Sequence, residues 1–478
     1  MKLLDLTLQT PYLELDPIFY HEVHPTPLKN PRLVSLNKDA AKLLGLNPET
    51  LRPDELEALL NGTLLLKGSR PYAMTYAGHQ FGHYVPRLGD GRAINLGMAN
   101  GWNFQLKGSG QTLYSRQGDG RAVLRSSIRE YLMSEAMHGL GIPTSRAMAI
   151  ISSDEKVARE RWERGAIVLR LSPSWIRFGS FEYFFHTHRH KELESLADFL
   201  LRESFPQLAG QKDPYLKMFS EIVKRTAELM AQWQSVGFNH GVMNTDNMSA
   251  VGLTIDYGPY AFLDTFERGY ICNHTDHEGR YSYDNQPRIG YWNLERLAHA
   301  LSPLIPAKKM EKELEKYPEY FTTRLMDILR QKLGLDTIMK NDSDLFKSLF
   351  TALENGRVDM TPFFRALSRY NGDKDPLLAM TLSPNQLKEW LDQYDARLER
   401  NTSTMSERHA HMLAVNPKYV LKNYMLQEAI SLAEQDDFTL VEELLALAKA
   451  PYEEHTDSQR YAGATPHQHK NLKLSCSS

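Results

Sequence analysis

The sequence predicts an α+β protein of two lobes: a small β-rich lobe that carries one helix, then a larger helical lobe. Three features predict it. Two strand-like segments meet at Asn100-Gly101, and Asn-Gly is the strongest short signal for a β-hairpin. A single helix with apolar residues at three- and four-residue steps follows from Leu124. Beyond residue 185, helical periodicity replaces strand-like segments.

Taken in order, residues 1–75 are rich in Pro and Leu, with short helix-like patches such as NKDAAKLLGL, and read as an amino-terminal extension packed on a core. Residues 76–175 form the predicted small lobe. Its hairpin pairs RAINLGM with WNFQLKG. Its helix places Leu124, Ile128, Tyr131, Leu132, Met137 and Leu140 on helical spacing, and Gly139 or Gly141 can end it. RAMAIIS and GAIVLRL read as two more strands, joined by a charged loop over 153–164. Residues 176–450 form the predicted helical lobe, with helices in ELESLADFLLRESF, LKMFSEIVKRTAELMAQWQSVGF and WNLERLAHALSPL. Between the last two lies NHGVMNTDNMSAVGLTIDYGPYAFLD, read as loop, short strand, loop. Residues 451–478 form a polar tail expected to be loosely held.

Composition excludes several classes. Of 478 residues, 42% are apolar and 24% charged, enough to bury a core and too apolar for wholesale disorder. Lys plus Arg (56) nearly balances Asp plus Glu (59), so no basic excess points to nucleic acid. No apolar run approaches the about 20 residues that span a bilayer. Two cysteines exclude a disulfide scaffold and suit a reducing compartment. The amino terminus resembles neither a secretory signal nor a transit peptide, so the expected location is cytoplasmic.

The chemistry concentrates in His240-Gly241-Val242-Met243-Asn244-Thr245-Asp246-Asn247, with Asp256 nine positions beyond Asn247. Hard divalent ions take oxygen ligands, and an Asn at the end of a polar loop with an Asp after the next short strand supplies such a pair beside nucleotide phosphates. Asn247 and Asp256 have that spacing. In phosphotransferases the pattern H-x-D-x-x-x-x-N carries a base two residues after the His. Here that position is Val242, and Asp246 is the nearby carboxylate in the loop. The metal pair is therefore expected, and ordinary kinase chemistry is not.

Lys107 closes the second hairpin strand, where a cleft-facing ammonium neutralises phosphate oxygens. Glu130 is its expected ion-pair partner, and Glu135 is a second candidate. Gly-Asp-Gly-Arg occurs twice, at residues 89–92 and 118–121, bracketing Lys107. Glycine lets backbone N–H groups approach phosphate closely. Arg170 and Arg177 flank the end of the last small-lobe strand, and several forked guanidinium groups suit a triphosphate.

The segments LGDGRAINLG, QLKGSGQTLYSRQGDGRAVLRSSIREYLMSEAMHGLGIPT, GFNHGVMNTDNMSAVGLTIDYGPYAFLD and ICNHTDHEGRYSYDNQP together resemble the selenoprotein O family, whose terminus SCSS also matches. The resemblance implies a protein-kinase-like (pseudokinase) bilobal fold that binds ATP in reversed orientation. AMP then passes to a Ser, Thr or Tyr hydroxyl of a partner protein, and pyrophosphate leaves. It implies Mg²⁺ or Mn²⁺ as cofactor, ATP and proteins as partners, and neither nucleic acid nor membrane. Carried over by motif, Gly89, Gly91, Arg92, Lys107, Asp119, Gly120, Arg170, Arg177 and Asp256 contact nucleotide. Lys107 and Glu130 form the ion pair, Asp246 accepts the proton, and Asn247 with Asp256 hold the metal. Some members carry selenocysteine near the terminus, which implies a redox role; Cys476 and Cys272 are the expected pair for a switchable disulfide.

Other readings stay open from sequence. A true kinase would use Asp246 as a displaced base, and a scaffold would bind ATP without chemistry. A metal hydrolase would use His274, Asp276 and His277, although H-T-D-H lacks helical ligand spacing.

Overall fold

A computed structural model describes residues 1–470 and Leu472. Its strands are β1 (Tyr20–Glu22), β2 (Arg32–Leu36), β3 (Tyr72–Met74), β4 (Gly78–Gln80), β5 (His83–Val85), β6 (Ala93–Ala99), β7 (Trp102–Lys107), β8 (Ala122–Val123), β9 (Arg146–Ala158), β10 (Trp162–Ser172), β11 (Phe238–Asn239) and β12 (Ala261–Phe262). The main sheet is antiparallel, in the order β1-β3-β6-β7-β10-β9-β2, with β8 also paired to β10. Residues 1–75 thus supply an edge strand at each end, β1 and β2, and also β3.

The Asn100-Gly101 hairpin forms as expected. Both residues adopt positive φ, 50° and 77°, the geometry of a tight two-residue turn, and Ala99 faces Trp102. The charged loop expected over 153–164 is much shorter. Strands β9 and β10 continue through it, pairing Arg164 with Lys156 and Trp162 with Ala158. Polar residues along an exposed hairpin had read as loop, but the ladder satisfies their backbone groups.

Sheet alternation sets the two faces. On β10, Ile167, Leu169 and Leu171 pack outward with Phe104 and Leu106 of β7 against the amino-terminal helices α1 (Lys38–Leu43) and α2 (Pro53–Leu60). The intervening positions Val168 and Arg170, with Gln105 and Lys107, share the opposite face. That face meets α3 (Leu124–Gly139), the helix the periodicity predicted. Helices Asn423–Ala433 and Thr439–Lys449 return to cover α3 from behind, and Arg129 of α3 donates to Asn423 Oδ1 at 3.0 Å.

The helical region opens with α4 (Phe178–His186), α5 (His190–Ser204), α6 (Pro214–Val236) and α7 (Gln286–Leu301). A single core cluster runs from the sheet through these helices, and residues 263–412 hold a second. The short strand expected near Thr254 is one bridge to Thr144, and the local ladder is instead β11 with β12. The tail is more tightly packed than its polarity suggests. Ser458, Tyr461 and Thr465 are buried, and Glu454 pairs with Arg365, Arg369 and Lys418. Among the described residues, no helix is long and apolar enough to cross a membrane.

Candidate active site

Gly89, Gly91, Arg92, Lys107, Asp119, Gly120, Glu130, Arg170, Arg177, Asp246, Asn247 and Asp256 all line one cleft of about 890 Å³. That size lies within the about 300–1,000 Å³ of small-molecule sites.

The cleft floor is an ion network built by strand register. Arg170 on β10 lies opposite Gln105 on β7, and Lys107 lies opposite Val168. Glu130 rises from α3 between them. Lys107 Nζ is 2.7 Å from Glu130 Oε2, and Arg170 Nη1 is 2.8 Å from Glu130 Oε1. Arg170 Nη1 also reaches Asp256 Oδ1 at 2.6 Å, and Lys107 stands 3.8 Å from the same oxygen. Arg177 pairs with the other Asp256 oxygen. Glu135 takes no part: it points to the far side of α3 and forks with Arg146 at 2.7 and 2.8 Å.

Burial opposes every charge here, and pairing decides the outcome for the acids. Burial alone would raise Asp256, but Arg177, Arg170 and Lys107 hold it well below the usual carboxylate range. Glu130 is likewise raised by burial and carried below its ordinary value by Lys107 and Arg170. Asp256 itself adopts a positive φ of 56°, a conformation Asp tolerates better than most residues.

Backbone pairing pins the loops that carry these groups. Phe178 N donates to Met248 O at 2.9 Å and Ala250 N to Ile176 O at 3.0 Å, which fixes Arg177 beside the 240–247 loop. Arg177 Nη1 then donates to the Asp246 carbonyl at 2.6 Å. His240 is structural: its Nε2 lies 2.9 Å from Ile255 O and its ring stacks 5.2 Å from that of Trp233. It ties the loop to the segment ending in Asp256.

Asp246 is buried with little polar company. Its Oδ2 accepts from Gln80 Nε2 at 3.2 Å, and Oδ1 has no hydrogen-bond partner in any other described residue. Burial raises its pKa to about 7, against the pull of Arg177. Asn247 donates Nδ2 to Val242 O at 3.1 Å, which leaves Oδ1 as its acceptor. Asn247 Oδ1, the Asp256 carboxylate and added phosphate oxygens make an all-oxygen donor set, which fits a hard divalent ion.

The two Gly-Asp-Gly-Arg elements differ in role. Gly89 has φ 72°, and a Cβ there would collide with the Tyr114 ring, so only glycine keeps this turn against the cleft. Asp90, which the sequence reading did not single out as a site residue, is buried and accepts from Met74 N at 3.0 Å and Asn95 Nδ2 at 3.1 Å. Arg92 is exposed at the cleft wall. In the second element, Asp119 pairs with Arg159 at 2.7 Å, and Arg121 pairs with Glu155 and donates to the Thr26 and Pro27 carbonyls. Arg121 braces the loop rather than adding free charge to the cleft.

Gln80 and Tyr76 also line the cleft and escaped the sequence reading. His274 and His277 are exposed while Asp276 accepts backbone N–H groups of Arg280 and Tyr281 at 2.9 and 2.7 Å. Among the described residues, no group of three or more His, Cys, Asp or Glu is placed to hold a metal ion, and His274, Asp276 and His277 form no such group. Cys272 is buried, its Sγ beside the Pro259 carbonyl, and Cys476 lies outside the described residues.

A family model described as protein adenylyltransferase SelO matches residues 2–449. The chain belongs to the SelO family. Among curated relatives named protein nucleotidyltransferase YdiU, the protein of Myxococcus xanthus (strain DK1622) is 50% identical over 476 residues, covering 98% of each chain. That of Thioalkalivibrio sulfidiphilus (strain HL-EbGR7) is 47% identical over 493 residues, covering 100% of both. That of Aliivibrio fischeri (strain MJ11) is 46% identical over 479 residues, covering 99% of both. This SelO-family chain is accordingly a nucleotidyltransferase.

Proposed function

We propose that the cleft transfers AMP from ATP to Ser, Thr or Tyr hydroxyls of partner proteins, within a kinase-like two-lobed frame, and with ATP reversed so that its α-phosphate faces the acceptor. The observation that carries this reading is the Asp256 carboxylate held among Lys107, Arg170 and Arg177, across from a buried Asp246, in a loop whose usual base position is Val242.

The chain's residues divide the work. Lys107, Arg170 and Arg177 meet the triphosphate charge, and Arg92 adds to it from the wall. The acceptor oxygen forms a bond to the α-phosphorus as the bond from that phosphorus to the bridging oxygen of pyrophosphate breaks. The acceptor proton passes to the Asp246 carboxylate, and a carboxyl near 7 takes a proton readily at neutral pH. The cations of the floor stabilise pyrophosphate as its charge develops. A magnesium or manganese ion held by Asn247 Oδ1 and Asp256 would, when bound, polarise phosphate oxygens as a Lewis acid.

ATP labelled separately at the α and γ positions tests the reaction. The label enters protein from the α position only; label entering only from γ rejects the reading in favour of a kinase. ATP binding with no transfer from either position favours a scaffold. Redox control through Cys272 and Cys476 belongs to the same proposal. Non-reducing gels of wild type and Cys476→Ala after peroxide test it, and unchanged mobility in both removes it.

A further inference from the structure

The hairpin of β4 and β5 stands outside the main sheet and rests on the Asp246 loop. Its turn is Phe81-Gly82, with φ 50° and 86°, which sets Gln80 opposite His83. Backbone contacts dock it on both residues that precede Asp246. His79 N donates to Thr245 Oγ1 at 2.6 Å, and Phe81 N donates to Asn244 Oδ1 at 3.2 Å. Buried Glu182 locks the same corner, accepting from Thr245 Oγ1 at 2.6 Å and lying 2.8 Å from His79 Nδ1. Tyr281 OH closes the other corner on Asn244 Oδ1 at 2.7 Å.

The approach is close enough to exclude a side chain. A Cβ on Gly78 would lie 2.8 Å from Asp246 Oδ1 and 3.0 Å from its Cβ. Into this contact Gln80 sends its amide, the donor to Asp246 Oδ2. The Asp246 backbone is fixed separately, by Arg177 on its carbonyl. One carboxylate oxygen is therefore tethered to Gln80, and the other, Oδ1, is buried against Gly78 with no hydrogen-bond partner in any other described residue. Asp246 and Gln80 both line the cleft, so the tethered carboxylate borders it.

We propose that Gln80 is a positioning residue for the reaction: its amide holds Asp246 Oδ2 and so fixes the orientation of the carboxylate that meets the proton of the acceptor hydroxyl. This rests on the reading of Asp246 as proton acceptor. The Gln80 side chain is separable from hairpin docking, because the docking bonds come from His79, Phe81 and Glu182. Its amide acts through Asp246 and needs no contact with ATP.

The test is a double-mutant cycle on the full chain, with α-labelled ATP and β-casein as acceptor probe, scoring label on casein and on the chain itself. Gln80→Leu lowers kcat about tenfold, with KM for ATP and melting temperature unchanged. In an Asp246→Asn background, Gln80→Leu causes no further loss. An equal fold loss in both backgrounds overturns the proposal, as does a Gln80→Leu variant with wild-type kcat. If Asp246→Asn transfers too little to measure, the kcat–KM split decides: a kcat loss with unchanged KM and melting temperature supports positioning, and a joint fall in stability and ATP affinity rejects it. Wild-type kcat in Asp246→Asn, or no transfer by wild type, overturns the underlying reading and this one with it; an impaired Asp246→Asn beside an unimpaired Gln80→Leu overturns this one alone.

Discussion

Arg170 and Gln105 face each other across β10 and β7, and their side chains hydrogen-bond, which aims the Arg170 guanidinium between Glu130 and Asp256. The arginine is 2% exposed, and it is the counter-charge of buried Glu130 and part-buried Asp256 at once. Removing it leaves Glu130 with Lys107 alone and weakens the hold on Asp256.

Arg170→Met should therefore cost about 3–5 kcal/mol of stability, the usual range for breaking a buried ion pair. Urea denaturation of both proteins measures it. A loss below about 1 kcal/mol would show that the network relaxes without this residue.

Asp256→Ala separates binding from chemistry. The substitution abolishes transfer, and chelation of divalent ions by EDTA does the same in wild type. ATP binding measured calorimetrically in EDTA is no weaker in the variant, because Lys107, Arg170 and Arg177 lose their shared anion and face the phosphates. Weaker binding there contradicts the assignment of these cations to phosphate.

Gly89→Ala places a Cβ against the Tyr114 ring at a positive φ. The loop must shift, and ATP affinity should fall about tenfold, since contacts to a bound group tolerate little displacement. Titration calorimetry reads the change, and an unchanged affinity removes Gly89 from the nucleotide site.

Glu203, at the end of α5, gives a pH signature. It is part-buried beside Asn103, and loss of water around the carboxyl raises its pKa from 4.5 to about 7. Below pH 4.5 folded and unfolded chains both hold the proton and the contribution to stability is fully present. As pH rises through about 7 the unfolded chain ionises first, and about 3 kcal/mol is lost. Glu203→Gln cannot ionise, so its stability should fall less between pH 5 and pH 8 in urea titrations. Parallel curves for the two proteins would be falsifying.

The hairpin at Asn100-Gly101 and helix α3 were legible because local rules govern them: turn chemistry in one case, a 3.6-residue apolar repeat in the other. The residues that converge on the cleft were legible as motifs, since glycine turns, arginines and the Asn247–Asp256 spacing lie in short stretches. Partner choice was not. Glu130 and Glu135 lie five positions apart on α3, so they project to different sides, and only the packed sheet decides that one meets Lys107 and the other Arg146. The brace made by Arg121 depends on Thr26 and Glu155, far away in the chain.

By itself the sequence determined which residue types stand at the cleft, which elements carry them and to which family the chain belongs. The tertiary structure alone decided which charges pair, that Gln80 meets Asp246 across 166 positions, and that the tail to residue 470 packs. The physical reason is range: backbone propensity and turn geometry act over a few residues, whereas ion pairing and burial depend on segments brought together only when the core closes.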